Sequence, residues 1–327
     1  MPVYNAEVHL REAIDSILQQ TLTHFEFLIV DDASTDNSHS IIQSYNDPRI
    51  RLIRNETNSG ISATLNRGIE AARCELIARM DADDISYPER LEKQYHFFQQ
   101  HPDCALLSTW VREITPEGEP VRIEKWRRPF YYYNLTFECW IYHPTVMYTR
   151  SAVLDVNAYS TPYSEDYDLW WQLTRKYKMD TLTEVLLDYR LTAASLYRLT
   201  RKTEYEEAQY NQIVRNLQYY TGPQFPLSIA EVECYRHNFV PLLKKQSTGA
   251  LVTALQKLDR INASILQKEN INRDRAAVEE AAYEKKKFII RMLASQLSVP
   301  KKLLFLLRLG QWRRVYTALR RRVLKAT

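Results

Sequence analysis

Short apolar runs alternating with amphipathic stretches pattern the first part of the chain. Phe25-Glu26-Phe27-Leu28-Ile29-Val30 runs into Asp31-Asp32, and Ile50 to Ile53, Leu76 to Met80 and Ala105 to Val111 are further runs of strand length. Between them Leu10, Ile14, Ile17 and Leu18 share one face of a 3.6-residue helix, as do Ile61, Leu65, Ile69 and Ala72. Strands alternating with helices predict an α/β domain, a mostly parallel sheet flanked by helices. After about residue 197 the strand-like runs stop, and helical patterns cover Lys202 to Tyr220, Ile229 to Leu243, Leu251 to Leu266 and Ala276 to Gln296. Ser298-Val299-Pro300 then breaks the pattern. The expected division is therefore an α/β domain over 1–197, a helical region over 198–299 and a basic segment over 300–327.

Where the polar positions fall changes the picture most at Arg79-Met80-Asp81-Ala82-Asp83-Asp84, three carboxylates in four positions directly after an apolar run. Two like charges roughly 5 Å apart repel by about 3 kcal/mol at an effective dielectric near 20. A hard divalent cation with oxygen ligands relieves that repulsion; an acidic turn capping the next helix accounts for the same residues without one. An EF-hand loop is excluded, because Ile85 stands where an oxygen ligand is needed and Ser86 where the turn needs Gly. Ligands of open α/β sheets gather beyond the carboxyl ends of the strands, so Asp31-Asp32 and Asp81 to Asp84 are expected to face one crevice.

Composition narrows the chemistry. With 327 residues and 45% hydrophobic content the chain can hold one large domain or two. It has six glycines where average usage gives about 23, so no glycine-rich loop is available for a dinucleotide or nucleoside triphosphate. Cys74, Cys104, Cys139 and Cys234 lack zinc spacing, and no signal peptide or long apolar span accompanies them, which predicts reduced core thiols in a cytoplasmic protein. The net charge is +4, yet residues 300–327 hold nine Lys or Arg and no acid, leaving −5 on the rest. That distribution argues against nucleic-acid binding. In the basic segment Trp312, Val315, Tyr316, Leu319 and Val323 fall on one helical face with Arg313, Arg314, Arg320 and Arg321 off it. Such a helix lies at an anionic membrane surface, or docks on protein.

Seven stretches come in an order that resembles the family-2 glycosyltransferases of the GT-A fold: Met1-Pro2-Val3-Tyr4-Asn5; Val30-Asp31-Asp32-Ala33-Ser34-Thr35-Asp36; Asn58-Ser59-Gly60; Asp81-Ala82-Asp83-Asp84; Pro88-Glu89-Arg90-Leu91; His143-Pro144; and Ser164-Glu165-Asp166-Tyr167-Asp168-Leu169-Trp170. The resemblance covers about the first three-fifths of the chain. It implies an inverting transferase that moves a sugar from a nucleotide-diphosphate donor, UDP favoured, to a hydroxyl of a glycan or lipid-linked acceptor in cell-surface polysaccharide synthesis, at the inner face of the membrane. It implies that Pro2 and Tyr4 line the base pocket, that Asp32 accepts a hydrogen bond from the nucleobase, that Asn58 and Gly60 shape the nucleotide loop, that Asp81 lies towards the ribose, and that Asp83, with Asp81, holds Mn²⁺ or Mg²⁺. Asp166 is the implied base, Glu165 its fallback, and His143 stands near the donor or acceptor pocket. Tyr4 as a core aromatic and Asp166 as the cap of the following helix are the structural alternatives.

Two features depart from the family pattern. The chain opens at Met1 inside the first motif, so the first strand is either short or incomplete. After Tyr189-Arg190 many members of the family continue x-His-x-x-Ser, where this chain has Leu191-Thr192-Ala193-Ala194-Ser195, and Thr192 supplies no imidazole. Two other classes fit less of the chain. An aspartyl phosphoryl-transfer enzyme needs Thr at position 85, which is Ile85. A non-catalytic nucleotide-sugar-binding or scaffold protein has no need of Asp32, Asp81, Asp83 and Asp166 together.

Overall fold

The computed structural model describes residues 1–192, 202–245 and 247–310, in two compact units. The first comprises Met1–Tyr131, Cys139–Gln209 and Asn270–Asn272; the second comprises Tyr132–Glu138, Tyr210–Glu269 and the described residues from Arg273 on. The segment Tyr132–Glu138 thus belongs with the helical unit although it lies early in the sequence.

The first unit opens with β1 (Pro2–Val3), α1 (Leu10–Leu18), β2 (Phe27–Asp31), α2 (Ser38–Gln43), β3 (Ile50–Arg54) and α3 (Ile61–Ala71). The three strands form a parallel sheet in that order, with Val3 opposite Asp31 and Asp31 opposite Arg54. Leu10, Ile14 and Ile17 of α1 pack with Val3 and Ile29 in one buried cluster. Full burial of one such side chain contributes about 1.5–3 kcal/mol. Because their apolar residues point inwards, the strands leave the following polar residues at their carboxyl ends.

Next along the chain come β4 (Leu76–Ala78), β5 (Ile85–Ser86), α4 (Arg90–Gln100), β6 (Cys104–Ile114), β7 (Pro120–Glu124), then α5 (Tyr131–Asn134), which from Tyr132 on belongs to the second unit, and β8 (Met147–Thr149), α6 (Arg150–Asp155), α7 (Glu165–Lys176) and β9 (Lys178–Arg190) of the first. A six-stranded sheet takes the order β4-β8-β6-β9-β5, with β7 added to β6. Only β6 and β9 run parallel in it. The α/β class is as expected, and the pairing is mixed. Strand β6 extends past the apolar run because its polar residues find partners: Arg112 donates to both oxygens of Asp188 (2.8 and 2.6 Å), and Glu113 accepts from Tyr142 (2.8 Å).

In the second unit Lys202–Thr221 begins before the unit boundary, and Ile229–Tyr235, Val240–Leu243, Thr248–Gln267, Arg275–Ser295 and Val299–Arg308 follow. The pattern over Ile229 to Leu243 predicts one helix, but two form, because His237 takes a left-handed backbone (φ 71°) that ends the first. Pro241, lacking an amide hydrogen, sits in the first turn of the second, where none is needed. Ser228 and Glu231 cap Ile229–Tyr235 reciprocally. Pro300 likewise stands in the first turn of Val299–Arg308. Among the described residues no helix is long and apolar enough to cross a membrane. The proposed amphipathic face from Trp312 to Val323 lies outside the described residues. Cys104 and Cys234 are buried thiols, whereas Cys74 is exposed.

Candidate active site

The two aspartates ending β2 serve different loops. Asp31 accepts from the Ser34 amide at Oδ1 (2.9 Å) and meets His39 Nδ1 (2.9 Å) and Arg54 Nε (3.4 Å) at Oδ2. Asp32, also buried, accepts from the Ser59 amide (2.9 Å) and the Asn55 side chain at Oδ1 and from the Gly60 amide at Oδ2 (3.0 Å). Those bonds shape the turn 55–60 and start α3, whose entry residue Gly60 has φ 82°. Pro2 lies at the start of β1, and the Val3 carbonyl accepts from the Asp32 amide (2.8 Å). Tyr4 is 49% exposed, so its ring is no core aromatic; Asn58 is exposed on the turn that Asp32 holds.

The acidic segment joins β4 to β5. Asp81 forms an ion pair with the buried Arg79. Asp83 accepts from the Thr192 hydroxyl at Oδ2 (2.8 Å), and burial, reinforced by Asp81, pushes its carboxyl up to about 6. Asp84 is buried; its Oδ1 accepts from the Arg190 amide (2.8 Å), and its Oδ2 has no hydrogen-bond partner among the described residues. Burial first, then Asp81 and Asp83, raise the Asp84 carboxyl well above the ordinary range. Behind the segment the buried Arg90 donates to the Arg79 carbonyl (2.6 Å) and to Gln94 (3.1 Å), while Gln94 donates to the carbonyls of Leu107 (3.2 Å) and Thr145 (2.9 Å). Burial lowers the Arg90 guanidinium to about 9.

Glu165 and Asp166 occupy the first turn of α7, which enters through Ser164 in a left-handed conformation (φ 52°). Asp166 is therefore inside the helix and is not its cap; its Oδ1 accepts from the Tyr167 amide (2.7 Å). His143 is buried, with Nε2 at 2.7 Å from the Tyr159 hydroxyl and Nδ1 at 3.8 Å from Glu165. Tyr159 is in turn held by Asn66 of α3, whose side chain accepts from its amide (3.0 Å) and donates to its carbonyl (2.9 Å). Ser62 donates to the Thr161 carbonyl (2.7 Å).

These contacts join the separated motifs. From Asp32 the path runs through Gly60 and α3 to Tyr159, then through His143 to Glu165, next to Asp166. Arg79, paired with Asp81, also lies within electrostatic range of Tyr159. Two surface hollows of about 410 and 300 Å³, lined by residues such as Leu76 and Phe98 or Ile42 and Tyr45, contain none of these side chains. Sequence reasoning missed Tyr159 and Asn66, which carry no motif, and the grip of Arg190, for which the Tyr189-Arg190 pair is the only local signal.

The acidic segment fits a hard divalent cation. Its donors are all carboxylate oxygens, its like charges are crowded, and a buried carboxylate oxygen is left over. Among the described residues no three His, Cys, Asp or Glu side chains already form a metal-ligating group. Asp83 and Asp81 would thus hold Mn²⁺ or Mg²⁺ with few protein ligands, as suits ions that keep waters and bind ligand phosphates.

Comparison with known proteins supplies the lineage. The model of "Glycosyl transferase family 2" matches residues 1–157. The O-antigen biosynthesis glycosyltransferase WbnJ of Escherichia coli is 32% identical over 225 residues, 64% of this chain and 85% of WbnJ. The UDP-Glc:alpha-D-GlcNAc-diphosphoundecaprenol beta-1,3-glucosyltransferase WfgD of Escherichia coli is 29% identical over 202 residues, covering 60% and 77% of the two chains. Among solved structures, residues 1–349 of S. aureus TarS in complex with UDP align with a TM-score of 0.53 and 18% identity over 91% of each chain, a likeness of fold of the GT-A type. With 32% identity over the aligned 225 residues and 85% of WbnJ covered, on the fold just described, the chain belongs to glycosyltransferase family 2.

Proposed function

We propose that the protein is an inverting, metal-dependent hexosyltransferase that moves a sugar from a UDP-sugar to a hydroxyl of a lipid-linked glycan during cell-surface polysaccharide synthesis. The observation carrying this reading is the crowding of Asp81, Asp83 and Asp84, with an Asp84 oxygen unpaired among the described residues, in the same unit as the Tyr159–His143–Glu165 contacts that lead to Asp166. The names of WfgD and TarS, which specify UDP-Glc with a diphosphoundecaprenol acceptor and bound UDP, support the donor and acceptor classes.

Asp32 has the capacity to accept from a base imide as well as from its loop, since a carboxylate offers about four acceptor sites and three are in use. The exposed Tyr4 ring is available to stack on that base, with Pro2 beside it and Asn58 and Gly60 on the nucleotide loop. Asp83 and Asp81 hold the cation, whose chemistry is to neutralise charge on the departing diphosphate. Asp166, or Glu165 in its place, takes the proton of the acceptor hydroxyl. His143 fixes the Glu165 side of that first turn. Residues 300–327 attach the protein to anionic lipid at the cytoplasmic face of the membrane.

The test is a panel of nucleotide sugars, assayed by release of nucleoside diphosphate with Mn²⁺, with Mg²⁺ and with EDTA. One UDP-sugar should turn over, and EDTA should abolish turnover; undiminished turnover in EDTA, or preference for a purine donor, contradicts the reading. Sedimentation of the full chain with phosphatidylglycerol vesicles, but not with phosphatidylcholine vesicles, is the expected sign of the membrane attachment, and equal sedimentation removes it.

A further inference from the structure

The end of β9 grips the acidic segment at three points. The Arg190 amide donates to Asp84 Oδ1 (2.8 Å), Arg190 Nε donates to the Asp83 carbonyl (2.8 Å), and the Thr192 hydroxyl donates to Asp83 Oδ2 (2.8 Å). Arg190 is itself immobilised: buried, it donates to the Pro116 carbonyl (2.8 Å) and pairs with Glu12 of α1. Leu191 continues the ladder beyond the strand by donating to the Ile114 carbonyl (2.9 Å), and the Thr192 amide turns back on the Arg190 carbonyl (3.1 Å). Thr192 is 7% exposed, so its hydroxyl has little competition from water.

The Asp83 carboxylate is crowded by Asp81 and, without a partner, is free to rotate about two side-chain torsions. A donor fixed on a paired backbone opposes both effects: it selects one orientation of the carboxylate and stabilises its charge. These two Arg190 contacts hold the peptide and the neighbouring Asp84, whereas the Thr192 hydroxyl meets the Asp83 carboxylate itself. We infer that Thr192 is a positioning residue, whose hydroxyl orients the Asp83 carboxylate for divalent-cation binding. The inference rests on the reading of Asp83 as a cation ligand and goes beyond it by assigning a partner 109 positions away. It also makes the hydroxyl a contributor in its own right at a position where no imidazole is present.

Outer partners of metal ligands typically change metal affinity about 10–100-fold when lost. The experiment titrates Mn²⁺ into the full chain with saturating UDP and follows free Mn²⁺ by electron paramagnetic resonance, a readout that needs no sugar transfer. Thr192→Val, which keeps the shape and loses the donor, should weaken binding at least about 10-fold, and Thr192→Ser should restore affinity to within about 3-fold of the parent protein. A cooperative thermal melt of each metal-free variant establishes that it is folded; if Thr192→Val does not fold, Thr192→Ala is titrated against Thr192→Ser in its place. Unchanged Mn²⁺ affinity in a folded variant lacking the hydroxyl, with Asp83→Asn defective, overturns the role of Thr192 alone. Mn²⁺ binding that Asp83→Asn leaves intact, or none in the parent protein, overturns the cation reading and this inference with it.

Discussion

Two acidic stretches leave strands of the same unit, and they are built on opposite principles. At Asp31 and Asp32 all four carboxylate oxygens have donors, supplied by Ser34, His39, Arg54, Asn55, Ser59 and Gly60. At Asp81 to Asp84 the pairing is incomplete: Asp84 keeps an oxygen, and the buried Arg79 its Nε, without a hydrogen-bond partner among the described residues, and Asp83 is pushed up to about 6. The first stretch is firmly held, with most of its acceptor capacity used in turning the chain into α3 and one Asp32 acceptor site left over. The second holds charge that the fold does not satisfy, which is where a ligand has something to gain.

Chemistry placed on an acid should be separable from structure, and the largest effect should show it. Asp166→Asn should lower sugar transfer about 10³-fold, because the base is lost while the helix start is kept. UDP and Mn²⁺ binding by calorimetry should change little; transfer above a tenth of the parent rate would remove Asp166 from the role of base. The firmly held stretch should fail differently. Asp32→Ala leaves the amides of Ser59 and Gly60 and the Asn55 side chain without their acceptor, at a cost of about 3 kcal/mol by urea unfolding. A loss under about 1 kcal/mol would mean that the loop does not depend on Asp32. The smallest effect has the opposite sign. Asp84→Asn keeps an oxygen for the Arg190 amide and removes one like charge, so the metal-free protein should gain about 1 kcal/mol. Destabilisation in the same urea assay would show that the Asp84 charge is compensated after all.

The same contrast explains what was legible beforehand. Strands β2 and β3, helices α1 and α3 and the acidic ends of β2 and β4 follow from periodicity, because their apolar faces and their turn residues are local. The mixed pairing of the second sheet is not local. It depends on β9 crossing beside β6, and on Arg112 finding Asp188 at a separation of 76 positions. The break at His237 was equally hidden, since a single left-handed residue leaves the apolar pattern intact. In the site, Asp83 and Asp84 could be singled out from their crowding alone. The resemblance marked Arg190 and Thr192, but not their pairing with these aspartates, because a hydrogen bond across more than 100 residues has no signature in either segment. Tyr4 shows how exposure resolves what an aromatic letter leaves open: at 49% exposed it faces solvent.

The reciprocal amide grip between Asn66 and Tyr159 has a consequence for how this enzyme can diverge. A group that gives one hydrogen and receives another at the same backbone unit tolerates neither a carboxylate nor a hydrocarbon in its place. Exchanging the Asn66 nitrogen for oxygen, a single-atom edit, would set two acceptors face to face. Drift at this seam is therefore confined to paired changes, in which the loop through Tyr159 is rebuilt together with α3.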